Sequence, residues 1–383
     1  MTMCWTCNDA SPVQAPLTRR AVLSGMGGLA AVTALSACGG TKTNEGFRSI
    51  QPDDRAFSTG LHVVTLGTQA GPPVELERAG ISTALIVDGA VYLVDCGRGS
   101  TTQYIHAGLR FSALRSIFIT HLHADHIADY YNFIILAGSA PNFTGDVLSP
   151  IDVYGPGSAG ALPGKFGGGD VGTVAPNNPT PGMRDLTELC SQAYAYSSNI
   201  FMRDSGAPDP RDLVRVNDIG IPGHVPASYV NTSPTMEPFV VMRDDNVIVS
   251  ASLVPHGPVF PSFAYRFDTK YGSATFSGDT TYSENLITLA RSTDVLLHEA
   301  VNVRGATNVP AEVLSHILES HVEVQEVGAV AERADAKQLI LTHIGDRVTS
   351  PLPVQQWESW AAVGYRGTVR VASDLQHFIV NRG

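Results

Sequence analysis

Residues His121-Leu122-His123-Ala124-Asp125-His126 put three imidazoles and a carboxylate within six positions. They follow Ser116-Ile117-Phe118-Ile119-Thr120, an apolar run that reads as a buried strand. On a strand or its fraying end His121 and His123 point the same way, because side chains alternate with period two. Asp125 and His126 then fall in the turn beyond, where the chain can fold back to the same point. Neutral imidazoles and a carboxylate converging at a strand end form a donor set that suits zinc or a similar divalent metal.

Three more donors follow apolar strand-like runs. His256 comes after Ser250–Pro255, Asp279 after Thr275–Gly278, and His343 after Leu339–Thr342. Singly, each has an ordinary explanation as a turn former or a satisfied polar residue. Together with the cluster they make seven ligands, enough for two metals that share a carboxylate.

The elements that must position these donors alternate along the chain. Strands are expected at Leu61–Leu66, Thr83–Val87 and Val91–Asp95, the last two joined by the tight turn Asp88-Gly89. A helix over Thr101–Gly108, the strand before His121 and a helix starting near His126 come next. Strands are then expected from Val240, at Val247–Val254, Ser262–Phe267, Ala274–Phe276 and Val295–His298, then a helix over Val322–Ala334 and a strand at Gln338–Leu341. This order suits an α/β fold with two sheets face to face and helices outside. Between Gly155 and Gly182 lie nine glycines and five prolines. Residues 140–235 therefore read as a Gly/Pro-rich insert, a loop or lid with a short helix near Asp185–Tyr194.

Beyond the histidine cluster, Val94-Asp95-Cys96-Gly97-Arg98-Gly99, Ser277-Gly278-Asp279-Thr280, Leu297-His298-Glu299-Ala300 and Leu341-Thr342-His343 resemble the metallo-β-lactamase superfamily, in its ribonuclease Z and zinc-dependent arylsulfatase branch. The likeness runs from Leu61 to about His377, the insert apart. It implies a four-layer αββα sandwich. His121, His123 and His256 would hold one zinc, Asp125, His126 and His343 a second, and Asp279 would bridge them, other divalent metals being possible. Two metals about 3.5–4 Å apart lower the pKa of a bridging water and stabilise developing negative charge. By the same resemblance Asp125 orients that hydroxide, Asp95 supports the metal loop, His321 protonates the leaving oxygen, and Glu299 orients His321. His298 would be a supporting or substrate contact. His316 reads as incidental, and His62, His106, His224 and His377 are assigned no role.

The first residues read as an address. Arg19-Arg20 precede a weakly apolar stretch to Ala37, resembling a twin-arginine export signal, and Leu35-Ser36-Ala37-Cys38 resembles a lipobox. The expected division is an export signal over 1–37, a tether over 38–59 anchored by lipid at Cys38, and a hydrolase domain over 60–383. That places the protein in the periplasm or cell envelope, with membrane contact only through the lipid. A Cys96–Cys190 bridge is possible but not indicated. Dimerisation would follow the family.

Several features argue against precursor tRNA. The net charge is −11, which opposes binding a polyanion by bulk attraction. The flexible tRNA-gripping arm of many bacterial ribonuclease Z proteins lies between the third and fourth metal motifs, but His256 and Asp279 are too close to admit one. The insert is itself acidic. The expectation is thus an exported dinuclear-zinc hydrolase of a small-molecule sulfate or phosphate ester, with nucleic acid argued against. The alternatives are a ribonuclease Z-like phosphodiesterase or endoribonuclease, and a lactone or β-lactam hydrolase. Outside hydrolysis stand an iron-dependent redox protein, against which His123 counts where the flavodiiron type has glutamate, and a non-catalytic scaffold.

Overall fold

Six strands come first: β1 (Leu61–Gly67), β2 (Ser82–Val87), β3 (Ala90–Val94), β4 (Leu114–Phe118), β5 (Ile151–Pro156) and β6 (Val214–Ile219). Seven more build a second sheet: β7 (Phe239–Arg243), β8 (Val247–Leu253), β9 (Phe263–Thr269), β10 (Ser273–Phe276), β11 (Val295–Asn302), β12 (Gln338–Asp346) and β13 (Thr368–Val371). The last strand, β14 (Gln376–Val380), returns to pair with β1. Both sheets are seven-stranded, in the orders β14-β1-β2-β3-β4-β5-β6 and β13-β12-β11-β10-β9-β8-β7. This computed structural model describes residues 57–138, 149–307 and 309–381. The expected export signal, lipobox and nearly all of the tether lie outside those residues.

Each sheet has an antiparallel half and a parallel half. β3 to β6 run parallel in the first sheet, and β10 to β13 in the second. The inner strands β3, β10 and β11 are buried along their whole length, as in sheets covered on both sides, whereas the edge strands β6 and β13 expose polar residues. Between the sheets lies a core that includes Leu85, Tyr92, Phe118, Phe263, Phe267 and Leu297. At about 1.5–3 kcal/mol for each large apolar side chain fully buried, this layer is the main adhesive of the fold. Phe118 stacks on Tyr154 and meets Tyr265 and Phe267 edge-on, with ring centroids 5.1–5.4 Å apart, just ahead of the histidine cluster.

Helices cover the outer faces. On the first sheet lie α1 (Ser100–His106), the short α2 (Ala124–Ile127) and α3 (Asn132–Ile135), and α4 (Met183–Ala193), which packs on β5 and β6. After it, α5 (Ala195–Ser205) makes a hairpin. On the second sheet α6 (Glu284–Leu289) is followed by α7 (Ala311–Ser320), α8 (Val324–Arg333) and α9 (Val354–Ala361), with Val327 and Trp357 in the outer core. The result is a four-layer αββα sandwich.

The structure departs from the sequence reading in places. Residues 140–235 are not all loop: β5 and β6 extend the first sheet, while the helix expected near Asp185–Tyr194 is present as α4 and is followed by α5. Among the described residues there, 157–182 is the longest run without helix or strand, and 220–235 is a second. Glycine and proline there masked the strands on either side. β4 ends at Phe118, so His121 and His123 do not lie on a strand; they sit in a loop, and His123 holds the N-cap position of α2 without a side-chain capping bond. β12 does not stop before His343 but continues to Asp346, with a bulge. Cys96 and Cys190 are both free thiols.

Candidate metal centre

All the donor-bearing loops leave the same edge of the sandwich. Asp95 follows β3, the histidine cluster follows β4, His256 follows β8, and Asp279 follows β10. In the second sheet β8 is antiparallel to β9 and β9 to β10, so β8 and β10 point the same way. Layered α/β folds build sites at such carboxyl edges. The two sheets are tied there by Phe263 N–H donating to Thr120 O at 2.9 Å and Ile344 N–H to Thr68 O at 2.8 Å.

Within this edge the seven expected ligands converge. His121, His123 and His256 each offer a nitrogen, and Asp125, His126, Asp279 and His343 each offer one donor atom, every set lying within 4.8 Å. Asp279 Oδ2 is the common point. It lies 3.9 Å from His121 Nε2, 3.4 Å from His126 Nε2, 3.8 Å from His256 Nε2 and 3.3 Å from His343 Nε2. Asp125 Oδ2 stands 3.2 Å from His343 Nε2 and 3.6 Å from His126 Nε2.

Local backbone geometry aims these groups. His343 sits at the β12 bulge, unpaired between Thr342 opposite Glu299 and Ile344 opposite Ala300, with φ 45. A bulge of this sort turns one side chain out of the pleat, here toward the donors. Gly278, with φ 59, makes the turn that delivers Asp279; a Cβ there would lie 2.7 Å from Phe263 O. Asp95 also holds φ 59. Left-handed backbone at non-glycine residues costs energy and concentrates at functional sites.

A layer of supporting hydrogen bonds fixes the imidazoles. Asp95 accepts from His126 Nδ1 at 2.8 Å and from the Thr120 amide at 2.8 Å, and Thr120 Oγ1 also bonds Asp95. His256 Nδ1 donates to Ser320 O at 2.8 Å, which leaves its Nε2 lone pair facing the centre. Asp125 Oδ2 accepts from Gly71 N–H at 2.9 Å. A Cβ on Gly71 would come 2.2 Å from the Asp125 carboxyl carbon, so glycine is required for that approach. Thr120, Gly71 and the Ser320 carbonyl escape sequence reasoning. They act through backbone groups or lie far off in the chain, and only the position of Thr120 beside the cluster hinted at a role.

Electrostatics match the donor set. Burial, helped by neighbouring imidazoles, holds His121 well below the ordinary histidine range, and burial pushes His256 down to about 3. Both are neutral near pH 7 and present lone pairs. For Asp279 burial raises the pKa, but His343 and His126 outweigh it and keep the carboxylate ionised. His126 is driven up against its burial by Asp279 and Asp95. His121 Nε2 and His126 Nε2 are buried yet make no hydrogen bond. Buried polar atoms left this way call for an explanation, and divalent cations held by these donors would supply it. The nitrogen-rich set suits zinc.

His321 borders the same centre, its ring 5.1 Å from His256 and 5.8 Å from His343. Its Nδ1 is 3.4 Å from Glu299 Oε2, an ion pair out of line for a hydrogen bond. Glu299 is itself held by Val322 N–H at 2.9 Å. Burial opposes protonation of His321, but Glu299 prevails and raises its pKa to about 9. His298 is buried and donates to the Glu299 carbonyl, and alternation along β11 turns it from the inter-sheet face that Leu297 occupies. It does not join the donor groups.

The ribonuclease Z of Mycobacterium bovis BCG is 26% identical over 322 residues, covering 84% of this chain and 99% of that protein. The ribonuclease Z of Mycobacterium marinum is 27% identical over 325 residues, covering 84% and 99%. Among solved structures, the metallo-β-lactamase fold protein YhfI of Bacillus subtilis superposes with a TM-score of 0.54 at 16% identity, over 83% of this chain and 98% of its own. The short form of human tRNase Z superposes with a TM-score of 0.54 at 22% identity, over 84% and 100%. The chain is thus similar over most of its length to ribonuclease Z proteins and has the metallo-β-lactamase fold. A family model described as the anti-Pycsar protein Apyc1 matches residues 71–133, the span holding Gly71, Asp95 and the histidine cluster.

This metallo-β-lactamase-fold chain is a metal-dependent hydrolase. The reading of a small-molecule ester with nucleic acid argued against is corrected by these relatives, which are ribonucleases by name over nearly their whole length. The charge argument failed because a total says nothing of placement. Acidic residues of the insert pair with its own arginines, as in Asp209–Arg211 and Asp152–Arg215, away from the donors.

The support given by Asp95 makes one expectation quantitative. Asp95→Asn should weaken metal affinity by roughly 10–100-fold, the usual effect of losing a partner behind a ligand histidine. Titration of the metal-stripped protein with a zinc indicator checks it, and an unchanged affinity would remove Asp95 from this role.

Proposed function

We propose that this protein is a two-zinc phosphodiesterase of the ribonuclease Z kind, hydrolysing a phosphodiester bond in RNA. Two cations held by the seven donors would activate a water and neutralise charge on the phosphate. The chain's own residues do the rest. Asp125, fixed by Gly71, orients the attacking water from one side of the centre. His321, kept protonated by Glu299, stands at the edge of the same donors to deliver a proton to the departing oxygen.

The observation that carries this reading is the His321–Glu299 pair beside the bridging carboxylate. A ribose oxygen is a poor leaving group and benefits from protonation as the bond breaks. A lactone or β-lactam makes less demand on such an acid. The near-full-length likeness to ribonuclease Z proteins supports the same choice.

The test is a substrate panel on zinc-loaded protein: single-stranded and structured RNA, bis(p-nitrophenyl) phosphate, an aryl sulfate, a lactone and a cephalosporin. Phosphodiester cleavage, lost on chelation and restored by zinc, is expected. A protein that carries two zincs yet cuts only the sulfate, lactone or cephalosporin would overturn it.

A further inference from the structure

Beside the metal centre lies a cleft of about 370 Å³, and one of its walls is His123. His123 is the exposed member of the His121–His123–His256 group, so its ring faces the donors on one side and the cleft on the other. The loop that follows His256, Pro258 to Pro261, forms another wall, and the insert supplies the rest through Pro156–Pro163, Pro179–Pro181 and Tyr229.

Its chemistry is uniform. Of the sixteen lining residues six are proline, and none is Asp, Glu, Lys or Arg. Such a lining offers no cation to hold phosphate and favours a flat uncharged ring. The volume falls in the lower range of ligand pockets, about 300–1,000 Å³, enough for one base with its sugar but not a helix. Stiff proline walls lose little entropy on closing around such a ring.

The walls are braced. Ser158 Oγ and Thr180 Oγ1 lie 3.0 Å apart and tie the two insert segments together. Farther along, Phe166 packs edge-on against His316 of α7, ring centroids 5.1 Å apart, and α7 leads straight into Ser320 and His321. The insert thus spans from the cleft to the element bearing the acid.

Resting on the phosphodiesterase reading, we propose that this cleft holds the base of the nucleoside flanking the scissile phosphate, so that the insert selects an unpaired nucleotide at the cut. Base recognition here is by stacking and apolar contact, which tolerates sequence.

The probes are dinucleotides joined by a hydrolysis-resistant methylphosphonate, with both bases or with either ribose abasic, bound to the zinc-loaded full chain. Losing one of the two bases should weaken binding about tenfold, and losing the other should change little. Leu162→Asp, at a half-exposed wall position, and Tyr229→Ala should each shrink that tenfold difference without altering zinc content. Equal binding of all three dinucleotides, or a preference that survives both substitutions, would overturn the assignment. So would a phenyl methylphosphonate that binds as tightly as the nucleoside, which would mark the cleft as a general aryl site. Cleavage of ordinary RNA is read separately. A base preference without cleavage leaves the cleft standing and overturns the phosphodiesterase reading; cleavage without a base preference does the reverse.

Discussion

Asp279→Asn should strip the protein of bound metal and of activity together. Its Oδ2 is the single oxygen within 3.3–3.9 Å of four imidazole nitrogens drawn from both donor groups. No neighbour can take over, because Asp125, the other carboxylate of the group, is already held by Gly71 and faces His343 and His126. Asparagine keeps the shape but removes the charge that balances two cations in a buried site, and one of its two former acceptor atoms becomes a donor. Metal content should fall from about two per chain to below one, with kcat/KM down by at least about 10⁴-fold. Elemental analysis of the purified variant beside a steady-state assay reads both. A variant that kept two metals would show that Asp279 is not the shared ligand.

His321→Ala should act on rate and leave the metals in place. Proton delivery by a positioned side chain contributes about 10²–10⁴-fold, so kcat on RNA should drop by that amount. On bis(p-nitrophenyl) phosphate, whose leaving group needs no proton, the loss should be several-fold at most. His321 also lies within 4.8 Å of donor atoms on His256 and Asp279. Metal lost along with rate would therefore reassign it as a ligand. Glu299→Gln separates the two roles further. Glu299 raises the His321 pKa to about 9, so without its charge the proton leaves at lower pH. A general acid works only while protonated, and the alkaline limb of the pH–rate profile should move to lower pH. An unmoved limb would mean that His321 does not supply the proton.

The parts of this protein legible in its residues share one trait: their signal is local. Strands β1 to β3 read from short apolar, β-branched runs and from Asp88-Gly89, both of which take positive φ in the turn. The cluster at 121–126 read as a metal site from residue types alone, and His256, Asp279 and His343 from ending apolar runs. What failed was whatever depends on distant partners. β14 exists because β1 offers it an edge more than 300 residues away. β5 and β6 were hidden by the glycines and prolines between them, though pairing β5 on β4 and β6 on β5 needs only a few apolar positions.

At the centre the division is sharper. Residue types mark which side chains could bind metal, because imidazole and carboxylate donors have the chemistry wherever the fold puts them. The sequence by itself could not determine how they are aimed. His121 and His123 converge through a loop and the first turn of α2, where strand alternation had been expected, and His343 through a bulge, where a simple strand end had been expected. Nor could it place the Ser320 carbonyl behind His256 or the Gly71 amide against Asp125, since backbone groups carry no mark in the residue string. Charge shows the same limit. The acidic total is a property of composition, but the uncharged cleft beside His123 arises from which insert segments the fold brings to that edge. Donor identity is written in side chains, whereas their direction and the field around them come from contacts the chain makes only when folded.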